Sequence, residues 1–304
     1  VVCRSRLLYR NWSWIEEVLQ RAGAHIDLGY NSSEVEFSTL PQAIFIPEST
    51  RTESQKFLSD IGINVTKPIV GVFVRDSEYL RKVECGRVDR SYHDFRDSKL
   101  EAYERAICWL LDSGMQVVRL GKVVRTRSQI KRAGFFDYGF SEKKDDRLEL
   151  GIVQSLSFIF GSASGPTDVA ITLGIPFLAT DLAPPHCVPL GKMDMYLPKK
   201  LESIESGELV PYFSIIDQVE GIFNGHTWEE KYGIKFIDNT SFEIMQAVQD
   251  MVGNLERRNF LNEEEKVEWD RYLAEYWVKN EYSRVAPLIA PSFLKKNSKL
   301  FFQV

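Results

Sequence analysis

The apolar run at residues 69–74, IVGVFV, constrains the fold of this chain more than any other segment. Apart from one glycine it consists of apolar, mostly β-branched side chains, and no polar residue alternates with them. A strand with one solvated face alternates in polarity, whereas a strand covered on both faces is apolar throughout. The run therefore predicts a strand buried on both faces of a parallel sheet.

Further short apolar runs follow, and segments with helical periodicity separate them. Strands are predicted at 116–120, 157–161, 176–180 and 234–237, with a short element at 135–138. Helices are predicted at 53–61, 97–111, 147–156, 166–174 and 241–255. Residues 181–230 are less regular and are expected to form loops and short helices that border a site. The alternation of strand and helix predicts an α/β fold with a doubly wound parallel sheet.

Three regions are predicted along the chain. Residues 1–65 hold too little apolar sequence for a core of their own, and we interpret them as the remnant of an N-terminal domain with its connector. Residues 66–256 form the sheet domain, and 257–304 a C-terminal helix and tail. Because the first residue is Val1 and a helical pattern follows closely, the chain is expected to begin inside a longer protein. The basic, aromatic tail at 295–302 either contacts a membrane surface or is a frayed, solvated end.

Composition excludes several classes of protein. With 44% hydrophobic and 27% charged residues in 304, the chain is neither a coiled coil nor disordered as a whole. A net charge of −5 gives no reason to expect a nucleic-acid partner. Its four cysteines form no close pairs, which indicates free thiols in the cytoplasm and no metal site. No apolar run reaches the roughly 18 residues of a membrane span.

The turn GSASGPT at 161–167 is the most informative candidate site. It follows a predicted strand, and Pro166 suits the first turn of a helix. The free amides and positive dipole end of such a helix attract phosphate, and Ser162, Ser164, Gly165 and Thr167 would line the site. Asp181, at the end of the next strand, is expected at the same sheet edge. The alternative is that these small residues only make a tight turn.

Arg75 and Asp76 follow the buried strand at 69–74 directly. Ligands of open α/β sheets bind at the carboxyl ends of the strands, and a guanidinium there can hold a diphosphate. Arg75 is therefore predicted to clamp a leaving diphosphate. The alternative is an ion pair of Arg75 with Asp76 or Glu78 on the surface.

Two further clusters carry weaker signals. His93 lies beside carboxylates in the segment 91–97, where it could act as a base, or where the whole segment could simply cap a helix. The stretch from Arg119 through Gly121 and Lys122 to residue 132 contains six Lys or Arg and no acidic residue. That cluster would suit an anionic ligand, or it is a solvated face.

Several of these motifs, taken in order, resemble a family of bacterial glycosyltransferases associated with surface-polysaccharide synthesis. The motifs are PIVGVFVRDSEY from residue 68, YHDFRDS from 92, YERAI from 103, GMQVVRLGK from 114, DY at 137 and GSASG from 161. The similarity runs from about residue 37 to 255. More distantly, the order of motifs is similar to that of the nodulation and α-1,6-fucosyltransferases. By position, Arg75 matches their phosphate-binding arginine, and 162–167 match a turn near the nucleotide. Phe73 and Asp76 depart from that pattern.

The resemblance implies a GT-B-like enzyme of two facing α/β domains, with a nucleotide-sugar bound by the second, Rossmann-like domain. We expect a metal-independent transferase without a cofactor, which moves a sugar from a nucleotide-sugar to a glycan or lipid-linked acceptor. Arg75, Arg119, Lys122 and the helix opening at Pro166 would neutralise the diphosphate, and Asp76 or His93 would be the base. The expected location is the cytoplasm, including the inner face of the membrane. Two alternatives remain open: a nucleotide-sugar epimerase, and a non-catalytic binding module.

Overall fold

The computed structural model describes residues 46–83, 89–185, 193–215, 218–219, 224–257, 263–267, 269–271 and 288–302. The predicted helical opening near residues 7–22 lies outside these residues. Ten strands are described: β1 Ile69–Phe73, β2 Gln116–Arg119, β3 Phe135–Asp137, β4 Phe158–Gly161, β5 Phe177–Leu182, β6 Met195–Pro198, β7 Lys200–Ser203, β8 Leu209–Val210, β9 Ile234–Ile237 and β10 Leu288–Ile289.

Seven of these strands form one parallel sheet in the order β3-β2-β1-β4-β5-β6-β10. The first strand, β1, is an interior strand, third from one edge, and the chain fills the sheet first on one side of it and then on the other. β1 is buried at all five positions, as its sequence predicts. Its neighbours are β2 and β4, and Phe73 lies opposite Gly161 on β4. The predicted α/β class with a doubly wound parallel sheet is confirmed.

α-Helices connect and cover the strands: α1 Glu48–Asp60, α2 Glu78–Val83, α3 Glu104–Asp112, α4 Asp146–Gln154, α5 Gly165–Thr172, α6 Tyr212–Ile215, α7 Gly225–Tyr232, α8 Ser241–Arg257 and α9 Pro291–Lys296. Residues 263–267 and 269–271 are also helical. α8 packs on both α3 and α9, and α4 packs on both α1 and α5, which gives two groups of helices. The connection from β1 to β2 crosses the sheet in the opposite direction to those from β3 to β4 and from β4 to β5, so right-handed crossovers place α3 on one face of the sheet and α4 and α5 on the other.

The predicted helix at 97–111 starts later than its sequence pattern suggests. The structure has a 3₁₀ turn at Leu100–Ala102 and an α-helix only from Glu104. The sequence pattern also predicts Asp97 or Ser98 as the N-cap of this helix, and that prediction is wrong, because Tyr103 occupies the position. Both side chains instead bind partners at the end of β1 and β4, which leaves them unavailable for capping.

The region 181–230 contains more regular structure than its sequence suggests. β6 joins the main sheet, and β7 pairs antiparallel with both β8 and β9 in a separate three-stranded sheet. The predicted strand at 234–237 is present but belongs to this second sheet. β6 escapes prediction because its apolar run is only four residues long and ends in Pro198, a residue that argues against a central strand.

The C-terminal tail is packed against the core. Leu300, Phe301 and Phe302 are buried, and the ring of Phe301 lies 4.8 Å from that of Tyr212 between centroids. The expectation of a frayed, solvated end was therefore wrong, and these aromatic rings are not exposed to a membrane. The lysines of α9 are exposed. None of the described helices combines the length and apolar character of a membrane span.

The connector at the start of the sheet domain is also packed. α1 lies along α4, where the Ser54 hydroxyl donates a hydrogen bond of 3.1 Å to the carbonyl oxygen of Leu148. The predicted domain boundaries near residues 65 and 256 stay a prediction.

Candidate functional site

Two neighbouring strand ends create the candidate site. β1 and β4 are adjacent, although the chain passes through β2 and β3 between them, and this reversal of strand order opens a crevice at the carboxyl edge of such sheets. The amide of Ser162 donates to the carbonyl oxygen of Phe73 over 2.9 Å. The amide of Arg75 donates to the Ser162 hydroxyl over 3.3 Å. The segment after β1 and the serine turn after β4 therefore meet, as the sequence-based hypothesis requires.

Arg75 places a cation at this meeting point. The residue is only 8% exposed. Its Nη1 atom donates to the carbonyl oxygen of His93 over 3.1 Å and forms an ion pair with Asp97. Neither Asp76 nor Glu78 is the partner of Arg75, because Asp97 lies closer in the fold. Arg75 is thus a buried, oriented guanidinium rather than half of a surface ion pair.

The 3₁₀ helix Ser91–Arg96 lies over the site and connects the two sheets. Arg96 donates from Nη2 to the carbonyl oxygen of Ala163, 3.0 Å away in the turn after β4. The ring of Phe95 packs on Phe236 of β9 with 4.9 Å between centroids. These contacts on both sides hold the segment that supplies His93 and Asp97.

A buried lysine also forms hydrogen bonds with this segment. Lys199, which follows β6, donates from Nζ to the carbonyl oxygen of Asp97 and to the carboxylate of Asp238, each over 2.7 Å. Burial raises the pKa of Asp97 to about 6, although the charges of Arg75 and Lys199 oppose that rise. Asp97 is therefore a carboxyl group that titrates near neutral pH.

Asp181 occupies the end of β5, within the same polar network. It is 2% exposed and has a positive φ of 49°, which is unusual for a residue with a side chain. Its carboxylate accepts from the amide of Asn239 over 2.6 Å and from the Tyr103 hydroxyl over 3.4 Å. Burial raises the pKa of Asp181. These contacts tie α8 to the sheet edge, and they leave Asp181 beneath the site rather than at its surface.

Some residues of the turn after β4 hold the fold together, and others are open to a ligand. Ser162 is 1% exposed and donates to the Ser98 hydroxyl over 3.0 Å. The Thr167 hydroxyl is committed to the helix start, since it accepts from the amide of Ser164 over 2.8 Å and donates to the same residue's carbonyl oxygen. Gly165 opens α5, and a side-chain carbon built there meets nothing within 4 Å. The open space at Gly165 gives a ligand access to the first turn of α5.

Asp76 and His93 differ in their availability as a base. Asp76 accepts hydrogen bonds from the amides of Glu78 and Arg125, at 3.0 and 2.9 Å, so both its oxygens stabilise loops. The His93 ring packs against the tilted ring of Tyr92, with 4.2 Å between centroids, and its Nδ1 atom is buried without a partner among the described residues. Burial lowers the pKa of His93, as do the charges of Arg96, Arg75 and Arg90. His93 is therefore the neutral, less committed group of the two.

The second basic cluster lies farther along the same edge, after β2. Arg119 is 1% exposed, and its Nη1 atom donates to the carbonyl oxygen of Thr126 over 2.6 Å and to Asp137 over 3.1 Å. Lys122 is exposed and pairs with Asp146 at 2.8 Å. Gly121, between them, adopts a φ of 144°. The structure thus brings Arg75, His93, Ser162 and the turn together, and it places Arg119 and Lys122 in contacts of their own.

Sequence reasoning did not identify Asp97, Ser98, Lys199 or Asn239 as parts of this network. The motif YHDFRDS did contain a usable signal for Asp97 and Ser98, since two carboxylates and a serine follow His93 there. The sequence contained no comparable signal for Lys199, because β6, the strand that positions it, was not predicted. Within the described residues, no group of three or more His, Cys, Asp or Glu side chains is placed to hold a metal ion. The arrangement can instead hold an anion with a guanidinium and backbone amides.

Comparisons with known proteins found similarity in structure but none in sequence. No protein-family model matches the chain, and no curated protein matches it in sequence. Among solved structures, the chain is similar to the glycosyl transferase family 9 protein from Veillonella parvula DSM 2008, at 15% sequence identity and a TM-score of 0.43. The similarity covers 69% of this chain and 53% of that protein, so the chain spans about half of its length.

Proposed function

We propose that this chain is the donor-binding part of a glycosyltransferase, in which Arg75 and the turn after β4 hold the diphosphate of a nucleotide-sugar. The observation that carries the proposal is the hydrogen bond from the Arg75 amide to the Ser162 hydroxyl, between the ends of β1 and β4, where the strand order reverses. The residue that bears the cation and the turn that leads into α5 meet there, at the edge where open α/β sheets bind their ligands. The family resemblance of the motifs at 68–79, 92–98 and 161–165 supports the same assignment.

In the proposed reaction the bond between the sugar C1 atom and the diphosphate oxygen breaks, and the diphosphate leaves with the electron pair. The oxygen of an acceptor hydroxyl forms the new bond to C1, and its proton passes to a base. Arg75 and the α5 amides lie where negative charge develops on the leaving group, and one such donor is worth about 3 kcal/mol in a transition state. His93 is the proposed base, because Asp76 is occupied by two backbone amides.

The proposal includes a GT-B-like arrangement, a cytoplasmic location, and a glycan or lipid-linked acceptor used in surface-polysaccharide synthesis. It places neutralisation of the diphosphate on Arg75 and α5, without a divalent metal. Arg119 and Lys122 take no direct part in it, since one is buried against Asp137 and the other pairs with Asp146.

Titration calorimetry with UDP, GDP, dTDP and ADP tests donor binding. One nucleoside diphosphate should bind better than its nucleoside, and Arg75→Ala should weaken that binding by about 2 kcal/mol, which is typical of a hydrogen bond to a charged group. Lys122→Ala is the matched control, as it removes a nearby cation outside the proposed pocket. Equal affinity of the wild type and Arg75→Ala contradicts the proposal.

Product analysis separates the transferase from its two alternatives. The matching nucleotide-sugar is incubated with and without a candidate acceptor. Release of the nucleoside diphosphate that depends on the acceptor supports transfer. A new nucleotide-sugar isomer formed without acceptor indicates an epimerase, and failure to bind any nucleoside diphosphate indicates a scaffold module.

A further inference from the structure

Asp97 controls the direction of the Arg75 guanidinium. The carboxylate of Asp97 and the carbonyl oxygen of His93 both accept from one nitrogen, Nη1. The Nε and Nη2 atoms of Arg75 have no hydrogen-bond partner among the described residues. Neither atom is fully buried. These two N–H-bearing atoms therefore remain accessible while Nη1 is held.

A guanidinium is rigid and planar, so two acceptors on one nitrogen set the direction of the others. A long side chain without such contacts loses rotamer freedom when a ligand immobilises it, which weakens binding. Contacts made before the ligand arrives remove much of that loss. The Asp97 carboxylate is thus suited to prepare Arg75 for an anion.

Asp97 is itself held from both sides. Its amide donates to the carbonyl oxygen of Asp94 over 2.8 Å, and its own carbonyl oxygen accepts from Lys199. The amide of the next residue, Ser98, donates to the carbonyl oxygen of Arg75 over 3.0 Å. The backbones that carry the two partners of the ion pair are therefore bonded to each other.

We propose that Asp97 is a positioning residue of the diphosphate site, whose carboxylate holds Arg75 with Nε and Nη2 directed at the donor diphosphate. The inference rests on the proposed function, since it assumes that Arg75 receives the diphosphate. Asp97 does not touch the ligand in this scheme, and it acts only through Arg75.

The direction in which Asp97→Asn changes pyrophosphate affinity distinguishes a positioning role of Asp97 from a simple effect of its charge. A carboxylate near an anion repels it, so charge alone predicts that Asp97→Asn strengthens pyrophosphate binding. Positioning predicts the opposite, because asparagine lacks the charge that holds the guanidinium. Asp94→Asn is the matched control: it removes the same charge from an exposed residue of the same segment.

The experiment is calorimetric titration of the whole chain with inorganic pyrophosphate, then with the best-binding nucleoside diphosphate. Asp97→Asn is expected to bind about tenfold more weakly, a coupling typical of residues in one hydrogen-bond network. Asp94→Asn is expected to bind as the wild type does, or slightly more tightly. In an Arg75→Lys background, which lacks the planar fork, Asp97→Asn should cause no further loss. A purely structural role for Asp97 would still cause a loss in that background.

The outcomes separate this inference from the proposed function. If Arg75→Ala weakens binding while Asp97→Asn matches or exceeds the wild type, Asp97 is not a positioning residue, and the proposed function stands. If Arg75→Ala has no effect, both are overturned. Thermal melting shows whether Asp97→Asn folds. If it does not fold, the pyrophosphate affinity of Asp97→Glu is compared with that of Asp94→Glu. A loss of affinity of at least about threefold in Asp97→Glu alone supports positioning, because a displaced carboxylate misdirects the guanidinium. Equal affinities of the two variants overturn the proposal.

Discussion

The amide of Arg75 and the hydroxyl of Ser162 are hydrogen-bonded over 3.3 Å, although 87 residues separate them in the chain. The same hydroxyl donates to Ser98, so one side chain connects the segments after β1 and β4 with the start of the α3 region. The geometry of the candidate site therefore depends on a buried serine as much as on its charged residues.

Ser162→Ala is expected to destabilise the fold by about 1–3 kcal/mol, because it leaves the buried amide of Arg75 without an acceptor. Chemical denaturation measures the change in the free energy of unfolding. Ser157→Ala, at an exposed serine before the same strand, is the control and should have little effect. Equal stability of the two variants would show that the Ser162 contact contributes nothing.

Gly161→Ala is expected to be among the most damaging single changes, with a loss of about 4 kcal/mol or more. Gly161 has a φ of 140°, and a side-chain carbon there would lie 1.8 Å from the carbonyl oxygen of Phe73. Gly165→Ala provides the control four residues later, in open space at the start of α5, where alanine should be neutral or slightly stabilising. Urea titration of both variants tests the contrast, and similar midpoints would contradict it.

Asp97 should make the stability of the fold depend on pH between about 4 and 6. The pKa of Asp97 in the folded protein is about 6, above its ordinary value of 3.8, so the folded state binds the proton more tightly than the unfolded state. Its contribution to stability therefore rises as pH falls through this range, by up to about 3 kcal/mol. The measurement is the difference in unfolding free energy between the wild type and Asp97→Asn at pH 7.5, 6 and 4.5. A difference that stays constant with pH would refute this assignment.

Arg119 is expected to serve stability rather than donor binding. Arg119→Met leaves the largely buried carboxylate of Asp137 without its guanidinium, which typically costs about 3 kcal/mol. The folded variant should bind the nucleoside diphosphate with wild-type affinity. Lys122→Ala, which breaks an exposed ion pair, should change neither quantity measurably. Weaker diphosphate binding by folded Arg119→Met would restore the donor-binding role that the sequence predicts.

His93→Gln tests the proposed base. Transfer to the acceptor should slow by about 100-fold or more, the scale of general base catalysis, while the nucleoside diphosphate affinity stays unchanged. Initial rates and calorimetry are measured on the same preparation. An unchanged rate removes His93 from the mechanism and leaves the role of Arg75 intact.

Local sequence patterns were sufficient for most of the sheet. The apolar run before Arg75 and the strand before Ser162 were readable because burial on both faces demands apolar residues at every position. The same reasoning could place Arg75 and Ser162 at one sheet edge, since parallel strands bring their carboxyl ends together. It could not tell which strands are neighbours.

Other features depended on partners that are distant in sequence. Asp97 reads as a helix cap by local pattern, because carboxylates commonly occupy that position. In the fold it pairs with Arg75 instead, and the helix begins later. Lys199 could not be assigned, because it follows the short strand β6, which is stabilised by its neighbours β5 and β10 rather than by its own composition. The buried ends of the tail, Phe301 and Phe302, show the same dependence.

The amino-acid sequence by itself determined the class of the fold and the strand β1 that is buried on both faces, because these follow from the burial and backbone preferences of short segments. Only the tertiary structure decided that β1 and β4 are neighbours, that Arg75 pairs with Asp97, and that Arg119 is enclosed by its own loop. Those outcomes arise from contacts between segments tens of residues apart, whose energies depend on how the whole chain packs.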